Sequence, residues 1–196
     1  MEARTDTRTR LLDATYSLMI KKGYPSTSVD EICAAAEVSK GSFYHFFKTK
    51  EDLGLELLNW FMEQSKLSFL GGEFRKEKDP LKRAFAFLSQ TEASAMDLWQ
   101  RGCLLGNFAV ELADTHPVIR KRVSLIFSGV VQGVAEIFQP ISEQYPDRNR
   151  LDAHRLAEMY LSIIEGSVVL SRAHSDWAPL KRGLESFRHY LASMID

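Results

Sequence analysis

The stretch TSVDEICAAAEVSKGSFYHFFKTKEDL, Thr27 to Leu53, decides the fold. Ser28 followed by Glu31 is a capping-box pattern, in which each side chain satisfies the other residue's free backbone amide at a helix start. Val29, Ile32, Cys33 and Ala36 then recur at helical spacing, which predicts a short helix from Ser28 to about Ala36. After a break at Glu37 and Val38, Ser39 caps a helix running to about Phe47, and Thr49 caps another from Lys50 to about Leu70. Upstream, Leu11, Thr15, Leu18 and Met19 share one face of a helix predicted over Thr7–Lys22, closed by a cationic last turn and Gly23. Two short helices joined by about three residues, preceded by a longer one, have the layout of a helix-turn-helix.

The chemistry of Ser39–Phe47 makes that layout more specific. Phe43 and Phe47 lie four apart and, with Val38, anchor one face in a small core. The other face presents Lys40, Gly41, Ser42, Tyr44 and His45, all small or hydrogen-bonding. Lysine donates to guanine O6 and N7, and glycine lets backbone approach a base edge where a side chain would collide. Hydroxyls and imidazole donate to phosphate oxygens, which fixes register without reading sequence. Lys48 and Lys50 add charge at the next helix start, where free amides already favour a phosphate. The plain alternative for those two lysines is a solvated surface, and for Tyr44 a place in the core. Cys33, spaced with Val29 and Ala36, reads as a buried, inert thiol.

The segment Thr27 to Leu53, with Gly23 and Tyr24 before it, closely resembles the signature of the TetR family. The resemblance implies an all-α homodimer with a palindromic double-stranded DNA operator and a small-molecule inducer. Carried over residue by residue, it implies DNA contacts for Thr27, Ser28, Ser39, Lys40, Gly41, Ser42, Tyr44, His45, Lys48 and Lys50. It also implies two reading helices entering successive major grooves about 34–36 Å apart, released when the sensing domain rearranges and the first and fourth helices swing. One departure is Glu37, where the family usually has glycine. A left-handed residue there costs roughly 1 kcal/mol, and its carboxylate lowers operator affinity.

Beyond Leu70 the predicted pattern stays helical, giving about nine helices and no strand. Gly71 and Gly72 mark a break and Glu73–Asp79 reads as a solvated connection. Asp79-Pro80 opens a helix to about Arg101, Cys103–Leu112 forms a shorter one, and Pro117 starts one reaching about Phe138. Gln139–Asn149, with Pro140 and Pro146, reads as a loop, before helices over Leu151–His174 and Trp177–Ile195. The expected division is a DNA-binding domain at 1–50 and a sensing and dimerisation domain at 51–196. Leu156, Met159, Tyr160, Ile163, Ile164 and Leu170, then Leu180, Leu184, Phe187, Leu191 and Met194, form faces wider than one neighbour covers. In TetR-like proteins the last two helices pair between subunits; the alternative is an ordinary intrachain core.

Composition sets the outer bounds. A chain of 196 residues with 45% hydrophobic content buries a real core, and its net charge of −1 requires any DNA contact to come from a local basic surface. Charges interrupt every apolar run, so no membrane span is expected, and Met1–Arg10 lacks the apolar block of a secretion signal. Two cysteines are too few for a disulfide scaffold. The expected compartment is the cytoplasm. No phosphate loop, nucleophile elbow or zinc-protease motif is present, and no metal, cofactor or enzymatic activity is expected.

Cys103 stands just after Gly102 at a predicted helix start, where free amides and Arg101 would stabilise a thiolate. The Gly102–Arg122 and Gly166–Leu180 segments resemble the TetR subgroup of N-ethylmaleimide reductase repressors. There a cysteine in a matching G-C-L context is associated with sensing electrophiles or oxidants. The alternative is a packing residue beside a noncovalent hydrophobic ligand, in a cavity lined by Trp99, Phe61, Phe127 and Tyr160. A transcriptional activator and a helical-bundle enzyme or carrier are the remaining functional alternatives.

Overall fold

Local cap chemistry places most of the helices where the sequence puts them. The computed structural model of the chain describes residues 6–145 and 152–195, without the side chains of 65–70. Among the described residues there are nine α-helices, one 3-10 helix and no strand. They are α1 (Thr7–Lys22), α2 (Val29–Ala36), α3 (Lys40–Phe46), α4 (Lys50–Leu70), α5 (Pro80–Trp99), α6 (Leu104–Leu112), α7 (Pro117–Gln144), α8 (Ala153–His174) and α9 (Ala178–Ser193).

The helices form two compact units. The first comprises the chain up to Gln64 together with Leu104–Leu125, and the second Ser65–Cys103 with the chain from Ile126 onward. The first unit thus extends past residue 50, where the sequence puts the domain boundary, because a three-helix head this small needs further apolar cover. Leu11, Leu12, Met19 and Ile20 of α1 share its core with Ile32 of α2, Phe43 of α3, Leu53 and Leu57 of α4, and Phe108 and Leu112 of α6. Phe43 has no exposed surface, and truncation of such a ring to alanine costs about 3–5 kcal/mol.

In the second unit Phe87, Phe138, Tyr160 and Phe187 form one aromatic cluster, with Tyr160 5.2 Å from Phe87 and 6.0 Å from Phe187 between ring centroids. The Tyr160 hydroxyl, fully buried, meets Thr91 Oγ1 at 2.9 Å, and burial raises its pKa far above that of an ordinary phenol. α8 and α9 pack closely: a methyl on Gly183 would meet Ser167 Oγ at 2.5 Å and Ile163 Cγ2 at 3.0 Å.

Three features depart from expectation. Glu73–Lys76 is a 3-10 helix whose Phe74 is buried, 5.3 Å from the Phe87 ring, so the charged connection carries a core residue. The helix predicted to end near Phe138 continues through Pro140 to Gln144, because buried Ile137, Phe138 and Ile141 hold both sides of the proline. At 28 residues α7 is also long and apolar enough, by length and composition alone, to cross a bilayer. Its residues Ile119, Val123, Ile126, Val134 and Ile141 are buried within the protein, whereas Val118 and Leu125 are exposed. The predicted loop residues 146–149 and the start of a helix at Leu151 lie outside the described residues.

Candidate nucleic-acid interface

α2 and α3 are held by reciprocal capping. Ser28 N donates to Glu31 Oε2 at 2.9 Å and Glu31 N to Ser28 Oγ at 3.3 Å, completing the capping box. Lys22 donates to the same carboxylate at 2.5 Å, and the Lys22 and Ser28 bonds hold the Glu31 pKa down to about 2. At α3, Ser39 Oγ accepts from Ser42 N at 3.1 Å. At α4, Thr49 and Asp52 cap one another, each backbone N–H reaching the other's side chain at 3.0 Å. Between α2 and α3, Glu37 adopts φ 54° and ψ 47°, the left-handed conformation expected from the missing glycine.

The exposed side of α3 carries Lys40, Gly41, Tyr44 and His45. Tyr44 is 54% exposed, its ring edge-on to buried Phe43 at 5.1 Å, so it lies outside the core. A methyl on Gly41 would meet only Ser39 Oγ, at 3.7 Å, so nothing inside the protein requires a glycine there. Ser28, Ser39 and Lys48 are exposed and Ser42 half-buried. Phe46, unassigned by sequence, is 39% exposed beside the His45 ring.

Two members of the expected set are turned inward. Thr27 has no exposed surface and its hydroxyl donates to Gly23 O at 2.7 Å, so its side chain closes the turn before α2. The Lys50 ammonium donates to Tyr24 O at 3.0 Å and Thr27 O at 2.9 Å, over the Tyr24 ring at 4.3 Å. Partial burial, and Lys22 nearby, lower its pKa. Lys50 is a staple for the Gly23–Thr27 turn.

Sequence reasoning missed three charged residues around this surface. Asp30 Oδ1 lies 2.6 Å from the Lys40 ammonium. Arg10 donates to Ala36 O, and to Glu37 O at 3.1 Å, satisfying carbonyls at the end of α2. Glu111 of α6 accepts from Tyr24 N at 2.8 Å. Arg10 and Glu111 are 26 and 87 residues from their partners, beyond any local pattern.

The expected sensing residues are divided between the two units. Phe61 is in the first, stacked on Tyr16 at 5.9 Å, whereas Trp99, Cys103, Phe127 and Tyr160 are in the second. Tyr160 fills the aromatic core and so is not free to line a cavity. Cys103 precedes α6 and is buried, with half-buried Glu165 of α8 as its neighbour. Burial raises the Glu165 pKa, partly offset by the neighbouring thiol. Arg101, the expected cationic neighbour, is exposed, while the Arg172 side chain lies against Gly102, whose φ is 106°.

Residues 11–57 match the family described as bacterial regulatory proteins, tetR family, and residues 80–185 match the C-terminal domain of LmrA/YxaF-like transcriptional regulators. The transcriptional regulator AcuR of Cereibacter sphaeroides is 31% identical over 190 residues, covering 92% of this chain and 84% of AcuR. The transcriptional repressor NemR of Escherichia coli is 23% identical over 195 residues, covering 96% and 95%. The crystal structure of the regulatory protein TetR from Rhodobacter sphaeroides superposes with a TM-score of 0.79 at 27% identity, covering 93% of this chain and 97% of that one. With a helix-turn-helix presenting a polar face outward and both parts matched in order, the chain belongs to the TetR family of bacterial transcriptional regulators.

Proposed function

We propose that two copies of the chain form a two-fold dimer in the cytoplasm, bind a palindromic operator through α3 and repress transcription until a small molecule releases them. The observation that carries this reading is the outward face of α3: Lys40, Gly41, Tyr44 and His45 are exposed on a helix anchored by buried Phe43 and Phe47. One short helix makes few base contacts, so useful affinity requires two half-sites. The wide apolar stripe of the last helices splits in a way that supports dimerisation. Leu180, Leu184, Phe187 and Leu191 are buried within the chain, whereas Met159, Val169 and Leu170 of α8 are exposed, and nothing lies within 4 Å of a methyl on Gly166. That face fits a second copy of α8.

The test is fluorescence anisotropy with labelled duplexes from the DNA flanking the gene. Lys40→Ala with Tyr44→Ala is expected to weaken binding at least a hundredfold with the helical signal unchanged. Wild-type affinity in that folded variant would remove α3 as the reading helix.

Buried Cys103, with the Glu165 carboxyl beside it, supports electrophile sensing as a specific form of release. Attack by Cys103 Sγ on the β-carbon of an electron-poor alkene forms the S–C bond as the thiol proton passes to Glu165. The alkene's π electrons move to the α-carbon, which then takes a proton from water. Release of the duplex by N-ethylmaleimide is expected in the wild type and not in Cys103→Ser. Equal release from both would leave a noncovalent ligand.

A further inference from the structure

The Lys40 ammonium lies 2.6 Å from Asp30 Oδ1, and both side chains are well exposed, 60% and 65%. The pair joins α2 to α3 on the surface that carries Gly41, Tyr44 and His45. Lys40 opens α3, the end of a helix where a cation is least favoured, while Asp30 lies in the first turn of α2, where an acid is most favoured. The other acid of that turn, Glu31, is occupied by Ser28 and Lys22, which leaves Asp30 facing Lys40. The bond to Asp30 also holds the Lys40 pKa above its ordinary value.

We propose that Asp30 is a selectivity residue of the DNA-reading surface: its carboxylate holds the Lys40 ammonium, so that a bare phosphate backbone gains little from Lys40 and a correctly placed base-edge acceptor is needed to take it. An exposed ion pair is weakly held and exchanges readily, so the hold discriminates without blocking binding. Non-specific affinity for duplex DNA is set by the number of free cations that reach phosphates. Masking one of them lowers that background, while guanine O6 and N7, which accept from lysine in defined positions, still compete. Asp30 acts through Lys40 and is a positioning residue for it.

The inference rests on α3 being the reading helix, and its experiment separates the two. Full-length protein is titrated into a random-sequence 30-base-pair duplex, and into a duplex enriched from a random pool by the wild-type protein, across a series of salt concentrations. Asp30→Asn is expected to raise affinity for the random duplex by about three- to tenfold, to steepen the slope of log K against log salt by about 0.9, and to raise affinity for the enriched duplex less. Asp30→Ser, a second neutral variant, is expected to behave alike. In a Lys40→Gln background the same substitutions are expected to change neither affinity nor slope. An equal gain with and without Lys40 would mean that Asp30 simply repels phosphate, and overturns the proposal; so does no gain, or a gain as large on the enriched duplex. Wild-type protein that binds no duplex overturns the reading-helix assignment and this inference with it.

Discussion

Lys50→Met separates a structural lysine from a phosphate-binding one. Methionine keeps the length of the stem and removes the ammonium that donates to Tyr24 O at 3.0 Å and Thr27 O at 2.9 Å and lies 4.3 Å from the Tyr24 ring centroid. Hydrogen bonds to a charged group contribute about 1.5–3 kcal/mol each. Tyr24 O keeps the Thr27 N–H at 3.2 Å and the ammonium is only partly buried, so about 1 kcal/mol each is the appropriate scale. The cation–π contact adds about 0.5–1 kcal/mol, and the cost of partly desolvating the ammonium subtracts from the sum. The net loss is about 2 kcal/mol, a fall of about 4–8 °C in the thermal midpoint for a chain of this size. The assay pairs melting by circular dichroism with the salt dependence of duplex binding, using exposed Lys48→Met as the comparator. Lys50→Met is expected to lower the midpoint and leave the salt slope unchanged. Lys48→Met is expected to leave the midpoint within a degree and flatten the slope by about 0.9. The reverse pattern would refute the assignment of Lys50 as a staple.

Glu37→Gly relieves a left-handed non-glycine residue and forfeits only an exposed 3.7 Å ion pair with Arg10, so the midpoint is expected to rise by about 2–4 °C; a fall would show that the side chain contributes more than the strain costs. For Glu165→Gln the sign follows from burial. A carboxyl whose pKa is raised in the folded state destabilises the fold progressively as pH climbs above its ordinary value near 4.5, so wild type and variant should melt alike at about pH 4, with the wild type falling behind toward pH 8. A difference that stays constant with pH would contradict that account.

Helix starts were legible in the sequence because their chemistry is local. The Ser28–Glu31 box, the Ser39 cap and Asp79-Pro80 each use partners within three residues, and each helix begins within a residue of its predicted start. Phe43 and Phe47 were legible as anchors from spacing, and with them the outward side of α3. The intrachain bonds of Lys50 were not legible because its partners lie 23 and 26 residues away, in a turn whose carbonyls carry no sequence signal. The inward bond of the Thr27 hydroxyl to Gly23 O was not legible, because the family resemblance speaks only of its place beside the DNA. Phe74 was hidden by the charges around it, and Pro140 by a rule that ends helices at proline wherever packing does not override it. Arg172 approaches Gly102 from 70 positions along the chain, a contact only the tertiary fold specifies.

The open space around Gly41 has a genetic consequence. Because the fold has no need of glycine there, alanine would suit the helix better by up to about 1 kcal/mol, yet on the proposed reading it thickens the backbone where a base edge comes close. Selection for robustness and selection for regulation therefore pull this position in opposite directions. In a cell carrying both alleles, and with subunits paired as proposed, the altered subunit would accumulate, join normal subunits and leave each mixed assembly with one blind half. A single added methyl would thereby act as a dominant loss of control.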